Sequence, residues 1–490
     1  MAGRKDEESQ QEDNGVDVSA SPAIFQFPNA EKLDVDDDGK HRRTGTAWTA
    51  SAHIITTIIG SGVLSLAWAT AQLGWLGAIA TILIFSSTML FTSNLLADCY
   101  RSPHPVTGKR NYTYMEAVQA NLGRVSCITC GILQYTNLGG FAVGYTITAP
   151  ISMIAFQKSN CFHKKGHDAS CKFSNNPYMI GFGICEIILS QIPSLHELTW
   201  SSTIAAIMSF AYSSIGIALS IARIIAGKGG KTTLTGVEIG VGFTAADKTW
   251  KVLTALGDIA FAYLISQVLI DIQDTLKSSP PENKVMKKAN AISMLTTTIF
   301  YLMCGCFGYA AFGNDAPGNM LTGFGFYEPF WLVDLANIFI VIHLVGAFQI
   351  LAQPVYKKIE SLSISKWPNS AFVKAEYPIK IGSKTLISLN PLRLTGRTTF
   401  VILVTVLAMA MPFFNDVIAL LGAVGFWPLS IYFPIQMYIA QNRIKRWSFK
   451  WLMLQLFNLL FLLVSIAAGA ASIQGISHGL HTSKPFQFKV

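Results

Sequence analysis

A chain of 490 residues with 51% hydrophobic and only 13% charged residues, and a mean hydropathy of +0.40, is not an ordinary soluble enzyme, because its apolar stretches repeatedly reach bilayer-spanning length. The net charge of +9 suits cytoplasmic loops facing anionic lipid, and no basic, aromatic-interleaved domain is present to bind nucleic acid. Composition therefore predicts an all-α polytopic membrane protein, with membrane lipids as its surroundings and no nucleic acid among its partners.

Residues 1–43 are polar and mixed in charge, as in Lys5-Asp6-Glu7-Glu8, with no apolar core or small-residue cleavage site. They read as a disordered cytoplasmic tail rather than a signal peptide. Eleven spans follow: Thr46–Leu73, Leu76–Cys99, Val125–Phe156, Pro177–Ile192, Trp200–Ala226, Lys251–Asp274, Ala289–Phe312, Trp331–Ile359, Thr398–Pro412, Asp416–Ala440 and Phe449–Gly475. Placing the N-terminus inside puts 26 of the 37 Lys and Arg residues on the inner side, which favours that orientation and an extracellular C-terminus.

The first span is interrupted at Ile59-Gly60-Ser61-Gly62-Val63. Backbone unwound at membrane depth survives where it lines a cavity or meets a ligand, and a half-helix starting near Gly62 would direct its N–H groups at an anion. The alternative is close helix packing through small residues. Transporters often consist of two inverted repeats, each with one broken helix. Residues 44–226 would form the first repeat and 227–440 the second, with 441–490 supplying helix eleven and a short extracellular tail. The sixth span then becomes the counterpart of the first, with a break expected near Ala260 to Tyr263 on symmetry more than on composition.

Ionisable groups at membrane depth are functional candidates. His53 and His343 are each open to two readings, a proton relay or a neutral histidine bonded to a backbone carbonyl. Asp258 could stabilise a cation, titrate as the coupling group, or orient the sixth helix. Glu186 could face the bundle interior or the lipid interface, and Asp271 and Asp274 are expected to be solvated. Cys161 and Cys171 fall in an outer loop, where a disulfide is permitted. Cys127 and Cys130 have no second pair at zinc spacing and read as core-facing thiols, and Cys304 and Cys306 should face different ways. Neither a phosphate-binding G-x-x-x-x-G-K-[ST] loop nor a metal-ligand or triad pattern occurs, so neither nucleotide hydrolysis nor enzymatic catalysis is expected.

The run Gly45-Thr46-Ala47-Trp48-Thr49-Ala50-Ser51-Ala52-His53 through Ile59-Gly60-Ser61-Gly62-Val63-Leu64-Ser65-Leu66-Ala67-Trp68-Ala69 strongly resembles plant amino acid permeases of the amino acid/auxin permease family. Leu189-Ser190-Gln191-Ile192-Pro193, Gly257-Asp258-Ile259-Ala260-Phe261-Ala262-Tyr263, Gly308-Tyr309-Ala310-Ala311-Phe312-Gly313 and Gly425-Phe426-Trp427-Pro428-Leu429 extend the resemblance from about Thr44 to the end. It implies a leucine-transporter-like 5+5 fold with one extra helix, and a plasma-membrane importer that couples amino acids to protons without a cofactor. The backbone of Gly60, Ser61, Gly62 and Val63 would cradle the α-carboxylate. The carbonyls from Asp258 to Phe261, with Ala260 and Ala262 beside them, would receive the α-ammonium.

Tyr263-Leu264-Ile265-Ser266 departs from the more polar pattern of such permeases, so substrate range is not simply inherited. Side-chain preference is expected near Tyr135, Asn137 and Gly139 of span three and His343, Gln349 and Gln353 of span eight. With no acid placed to pair with a cationic side chain, broad neutral selectivity is expected. The rival readings are a carrier for proline, γ-aminobutyrate or auxin, driven by protons or by sodium, and a nutrient receptor built on a carrier fold.

Overall fold

The computed structural model describes residues 36–39, 42–166, 169–192, 199–240, 243–324, 330–381, 384–411, 413–482 and 486. Most of the expected tail, and Pro193, Pro412 and all of the last eight residues but Phe486, lie outside them. Among the described residues nine helical segments are long and apolar enough to cross a membrane. The other two expected spans take different forms. Span one is divided by its break, and span four is the 15-residue helix Asn176–Ser190.

Helix α1, Ala47–Ile58, opens on a capping box in which the Thr46 hydroxyl accepts from the Thr49 N–H and the Thr49 hydroxyl accepts from the Thr46 N–H. Gly60 is extended, Ser61–Ser65 form a 3₁₀ turn, and α2 runs over Leu66–Asp98. At Gly74 the chain turns with φ +72°, and a Cβ there would lie 2.2 Å from the Gly236 nitrogen, so conformation and space both require glycine. This turn falls in the gap read between spans one and two.

A short hairpin, β1 (Arg101–Ser102) with β2 (Lys109–Arg110), leads into α3, Tyr114–Lys165. Cys161 and Cys171 are joined as a disulfide before α4, Asn176–Ser190, and α5, Thr199–Ile225. Of the other cysteines, Cys130 and Cys304 are buried, while Cys127 and Cys306 are only half-buried. Cys127 therefore does not share the core-facing position expected of it.

Helix α6, Ala245–Ala262, and α7, Ser266–Gln273, make up the sixth span. Its interruption covers Tyr263–Ile265, later than the expected Ala260–Tyr263. Alanine is the best helix former, and the Tyr263 N–H still reaches the Ile259 carbonyl at 3.3 Å, so the helix persists through Ala262. Beyond it come α8 (Glu282–Phe312), α9 (Phe330–Lys366), the one-turn α10 (Ala371–Lys374), and the hairpin of β3 (Tyr377–Ile381) and β4 (Lys384–Leu389). Then follow α11 (Pro391–Ala410), α12 (Phe414–Gly425), a π-helical turn at Phe426–Tyr432, α13 (Phe433–Gln441) and α14 (Phe449–Thr482).

The main helix contacts pair α2 with α8, α5 and α3 with α9, and α12 with α6. Small residues let α12 and α6 approach closely, since a Cβ on Gly422 would meet the Gly257 carbonyl oxygen at 2.1 Å. The opposite kind of surface occurs on α14, where Leu452, Leu456, Leu459, Leu463 and Ile466 are exposed at helical spacing. Such a stripe suits lipid tails.

The end at which α1 begins is bound by ion pairs. Arg43 reaches the Asp274 carboxylate at 2.8 Å, Arg101 and Arg110 share Glu282, and Lys287 holds Asp98 at 2.6 Å. Gly45 exchanges backbone hydrogen bonds with the chain after α7, donating to Thr275 at 2.9 Å and accepting from Lys277 at 3.0 Å. Asp274 is thus tied in rather than solvated, whereas Asp271 is exposed as expected. The Tyr100 hydroxyl donates to Asp274 at 2.6 Å, and burial together with the adjoining carboxylate pushes that hydroxyl well above the ordinary tyrosine range.

Candidate functional site

The two interruptions meet. Gly62, Phe261 and Ala262 are buried together, and a Cβ on Gly62 would lie 3.1 Å from the Ala262 Cα and 3.2 Å from a Phe261 ring carbon. Close packing through small residues and a broken backbone, alternatives in the sequence, therefore coexist at this point. The first N–H groups of a helix have no partner within it, so Ser61 and Gly62 direct donors toward the break, while α1 and α6 end there with carbonyls. Donors and carbonyls set face to face suit a ligand with a negative and a positive end.

Tyr301 of α8 ties the two interruptions together. Its hydroxyl lies 2.5 Å from the Ile58 carbonyl oxygen and 2.9 Å from that of Ala262. One hydroxyl proton serves one acceptor fully at a time, so the group can alternate between the end of α1 and the end of α6. Tyr301 was missed in the sequence. A tyrosine inside the apolar run Thr298-Ile299-Phe300-Tyr301-Leu302 was the available signal, since a buried hydroxyl needs a partner.

A cavity of about 260 Å³ runs along the second half of α1 to Gly60 at the first interruption. Its wall includes His53, Thr57, Gly60, Tyr145, Ala205 and His343. His53 is exposed on the wall. His343 is buried, its Nδ1 lies 2.7 Å from the Ala205 carbonyl oxygen, and its Nε2 has no partner. A Cβ on Gly60 would stand 3.6 Å from that Nε2, which places the histidine beside the first interruption. Nδ1 can only donate to a carbonyl, so neutral His343 presents Nε2 as an acceptor.

Across the junction a shallower cavity of about 400 Å³ is lined by Trp68, Lys251, Asn319, Phe414 and Asp416, among others. The Lys251 ammonium lies 5.7 Å over the Trp68 ring. Asp258 is fully buried, with Oδ2 accepting from the Asn415 amide at 3.3 Å and Oδ1 unpartnered. That contact directs it toward the start of α12 rather than toward the cavity at His343.

The residues of α3 expected to read the substrate do not line the cavity beside His343, although Asn137 lies close to Leu264 of the second interruption, both flanking Gly425. Asn137 donates to the Leu421 carbonyl at 3.1 Å, the nearest atom to a Cβ on Gly139 is a Phe400 ring carbon at 4.0 Å, and the Tyr135 ring lies 5.9 Å from the Lys358 ammonium. Phe141, packed 4.6 Å from the Phe261 ring, and Tyr145 hold the position near the junction instead. Gln349 likewise turns to Glu186 of α4, donating at 2.6 Å, which settles Glu186 in the bundle interior. The helical period accounts for this placement: an expected span boundary does not tell which face of a long helix meets the cavity.

Residues 43–477 match the family model described as transmembrane amino acid transporter protein. The chain is 56% identical over 469 residues to amino acid permease 6 of Arabidopsis thaliana, covering 94% of this chain and 97% of that one. Amino acid permease 3 of Arabidopsis thaliana is 56% identical over 453 residues, covering 92% and 95%. Among solved structures, MhsT in complex with L-phenylalanine superposes with a TM-score of 0.53 at 9% identity, covering 88% of this chain and all of that one. That similarity shows a shared fold.

Proposed function

The chain belongs to the family of transmembrane amino acid transporters, and from that premise we propose that it imports mainly neutral amino acids together with protons across the plasma membrane. The observation that carries this reading is the meeting of the two interruptions at Gly62 and Ala262, with Tyr301 bonded to both helix ends. In the proposed mechanism the α-carboxylate binds the N–H groups of Ser61 and Gly62, with that of Val63 leaving its 3.2 Å bond to the Gly60 carbonyl to join them, where the helix dipole favours negative charge. The α-ammonium takes the carbonyls at the ends of α1 and α6, displacing the Tyr301 hydroxyl from one of them.

With the N-terminus cytoplasmic, the cavity along α1 opens inward and the cavity at Trp68 and Lys251 opens outward. Transport then consists of loosening the packed layer of Gly62, Phe261, Ala262 and Phe141 on one side at a time. The repeats 44–226 and 227–440 supply one interrupted helix each, with 441–490 outside them. His343, through the free Nε2 next to Gly60, and His53 on the cavity wall are the leading proton carriers, and Asp258 is the third candidate. Apolar walls at Ala205, Ala206, Ala347 and Ile350 support a neutral side-chain preference with broad tolerance.

Competition for uptake of a labelled neutral amino acid tests both ends of the site. Free neutral amino acids should compete and their methyl esters should not, because esterification removes the anionic end. Equal competition by esters, or a marked preference for lysine or arginine, would overturn the reading.

A further inference from the structure

Glu186 has no task in the mechanism above. It lies fully buried on α4, with Oε2 accepting from Gln349 Nε2 at 2.6 Å and its own backbone carbonyl accepting from the same amide at 3.1 Å. Oε1 has no partner, and among the described residues no cation pairs with the carboxyl group. Gln353 and Tyr356 follow Gln349 on α9 at about one-turn intervals. Gln349 Oε1 and both amide atoms of Gln353 are unpartnered as well, and the Tyr356 hydroxyl lies beside Ser190. The row ends at Arg397 of α11, whose guanidinium lies 5.0 Å over the Tyr356 ring and 2.9 Å from the Glu360 carboxylate.

The ionisable groups near Glu186 are few. Tyr356 approaches from α9, and Cys185 is its neighbour on α4. Arg397 from α11 gives its Nη1 protons to the Ser190 and Ile192 carbonyls rather than to Glu186. Helix α3 also packs against α4, and among the described residues the side-chain hydrogen bonds to Glu186 come from Gln349 of α9 and not from α3. An acid in such surroundings is costly to hold as an anion and inexpensive to hold with a proton.

Resting on the proton-coupled reading above, we infer that Glu186 is a second proton-binding site of the transport cycle, remote from substrate and reached along the row of polar groups on α9. Proton binding at Oε1 turns a bare acceptor into a donor and weakens the charge-assisted bond from Gln349. Because α9 also carries His343 at the cavity, the hold of α4 on α9 then depends on whether the proton is present. Glu186 delivers and receives only the proton; no bond to substrate forms.

The test compares full-length wild type with Glu186→Gln at the cell surface, measuring amino-acid-evoked proton influx and, separately, exchange of labelled for unlabelled substrate. Glu186→Gln is expected to continue exchange while losing most proton influx, so that the ratio of uptake at pH 5.5 to pH 7.5 falls to near one. Wild-type proton influx in Glu186→Gln would overturn this inference alone, whereas no influx in wild type would overturn the coupled reading itself and this inference with it. Should Glu186→Gln fail to reach the surface, Gln349→Leu decides the matter, since it removes the hydrogen bond and keeps the acid. A shifted pH midpoint of uptake supports the inference, and an unchanged one contradicts it.

Discussion

At Gly62 space is tight, because a Cβ would stand 3.1 Å from the Ala262 Cα and 3.2 Å from the Phe261 ring, and a branched side chain would push both away. Gly62→Val should abolish uptake at normal surface abundance, while Ser61→Ala should retain it, since the donors at the break belong to the backbone. Wild-type uptake by Gly62→Val would contradict the placement of the site. Tyr301→Phe removes a hydroxyl that touches two carbonyls, a loss of about 1–2 kcal/mol, or roughly 5–30-fold in a population or rate. Uptake kinetics should show that reduction, and an unchanged rate would remove Tyr301 from the junction. At this scale the glycines were legible because Gly-Ser-Gly is out of place in a bilayer. Tyr301, Phe141 and Tyr145 were not legible, because their importance comes from which helix face meets the break.

Among the elements, α1 and α7 are linked at the end where the chain enters. Arg43 holds the Asp274 carboxylate and its backbone carbonyl, while Gly45 pairs with Thr275 and Lys277. Opening the cavity along α1 would therefore strain this strap. Arg43→Ala, at about 1 kcal/mol for a partly exposed pair, should favour the opened state roughly fivefold. A cysteine placed at Thr56 on the cavity wall reports this, reacting severalfold faster with a thiol reagent in the Arg43→Ala background; an unchanged rate would separate the strap from opening. The strap was illegible in the sequence, where Asp274 reads as solvated, because its partners lie more than two hundred residues away. The break in the sixth span was legible in existence and displaced in position, since alanines signal small volume as readily as a helix end.

For the whole molecule, apolar length made the membrane architecture readable, while the packing of its helices depended on contacts that no local pattern carries. Orientation can be tested through Cys161 and Cys171, bonded in the loop before α4. With the other cysteines replaced, an impermeant thiol reagent added outside intact cells should label the pair only after reduction, and labelling only from the cytoplasmic side would invert the topology. The central claim is proton-driven amino acid import through the junction of two interrupted helices. It is tested most directly by recording current in a heterologous cell at acid external pH without sodium, on adding a neutral amino acid. The predicted result is an inward current that shrinks as external pH rises and disappears in Gly62→Val; current that requires sodium, or survives unchanged in Gly62→Val, would contradict it.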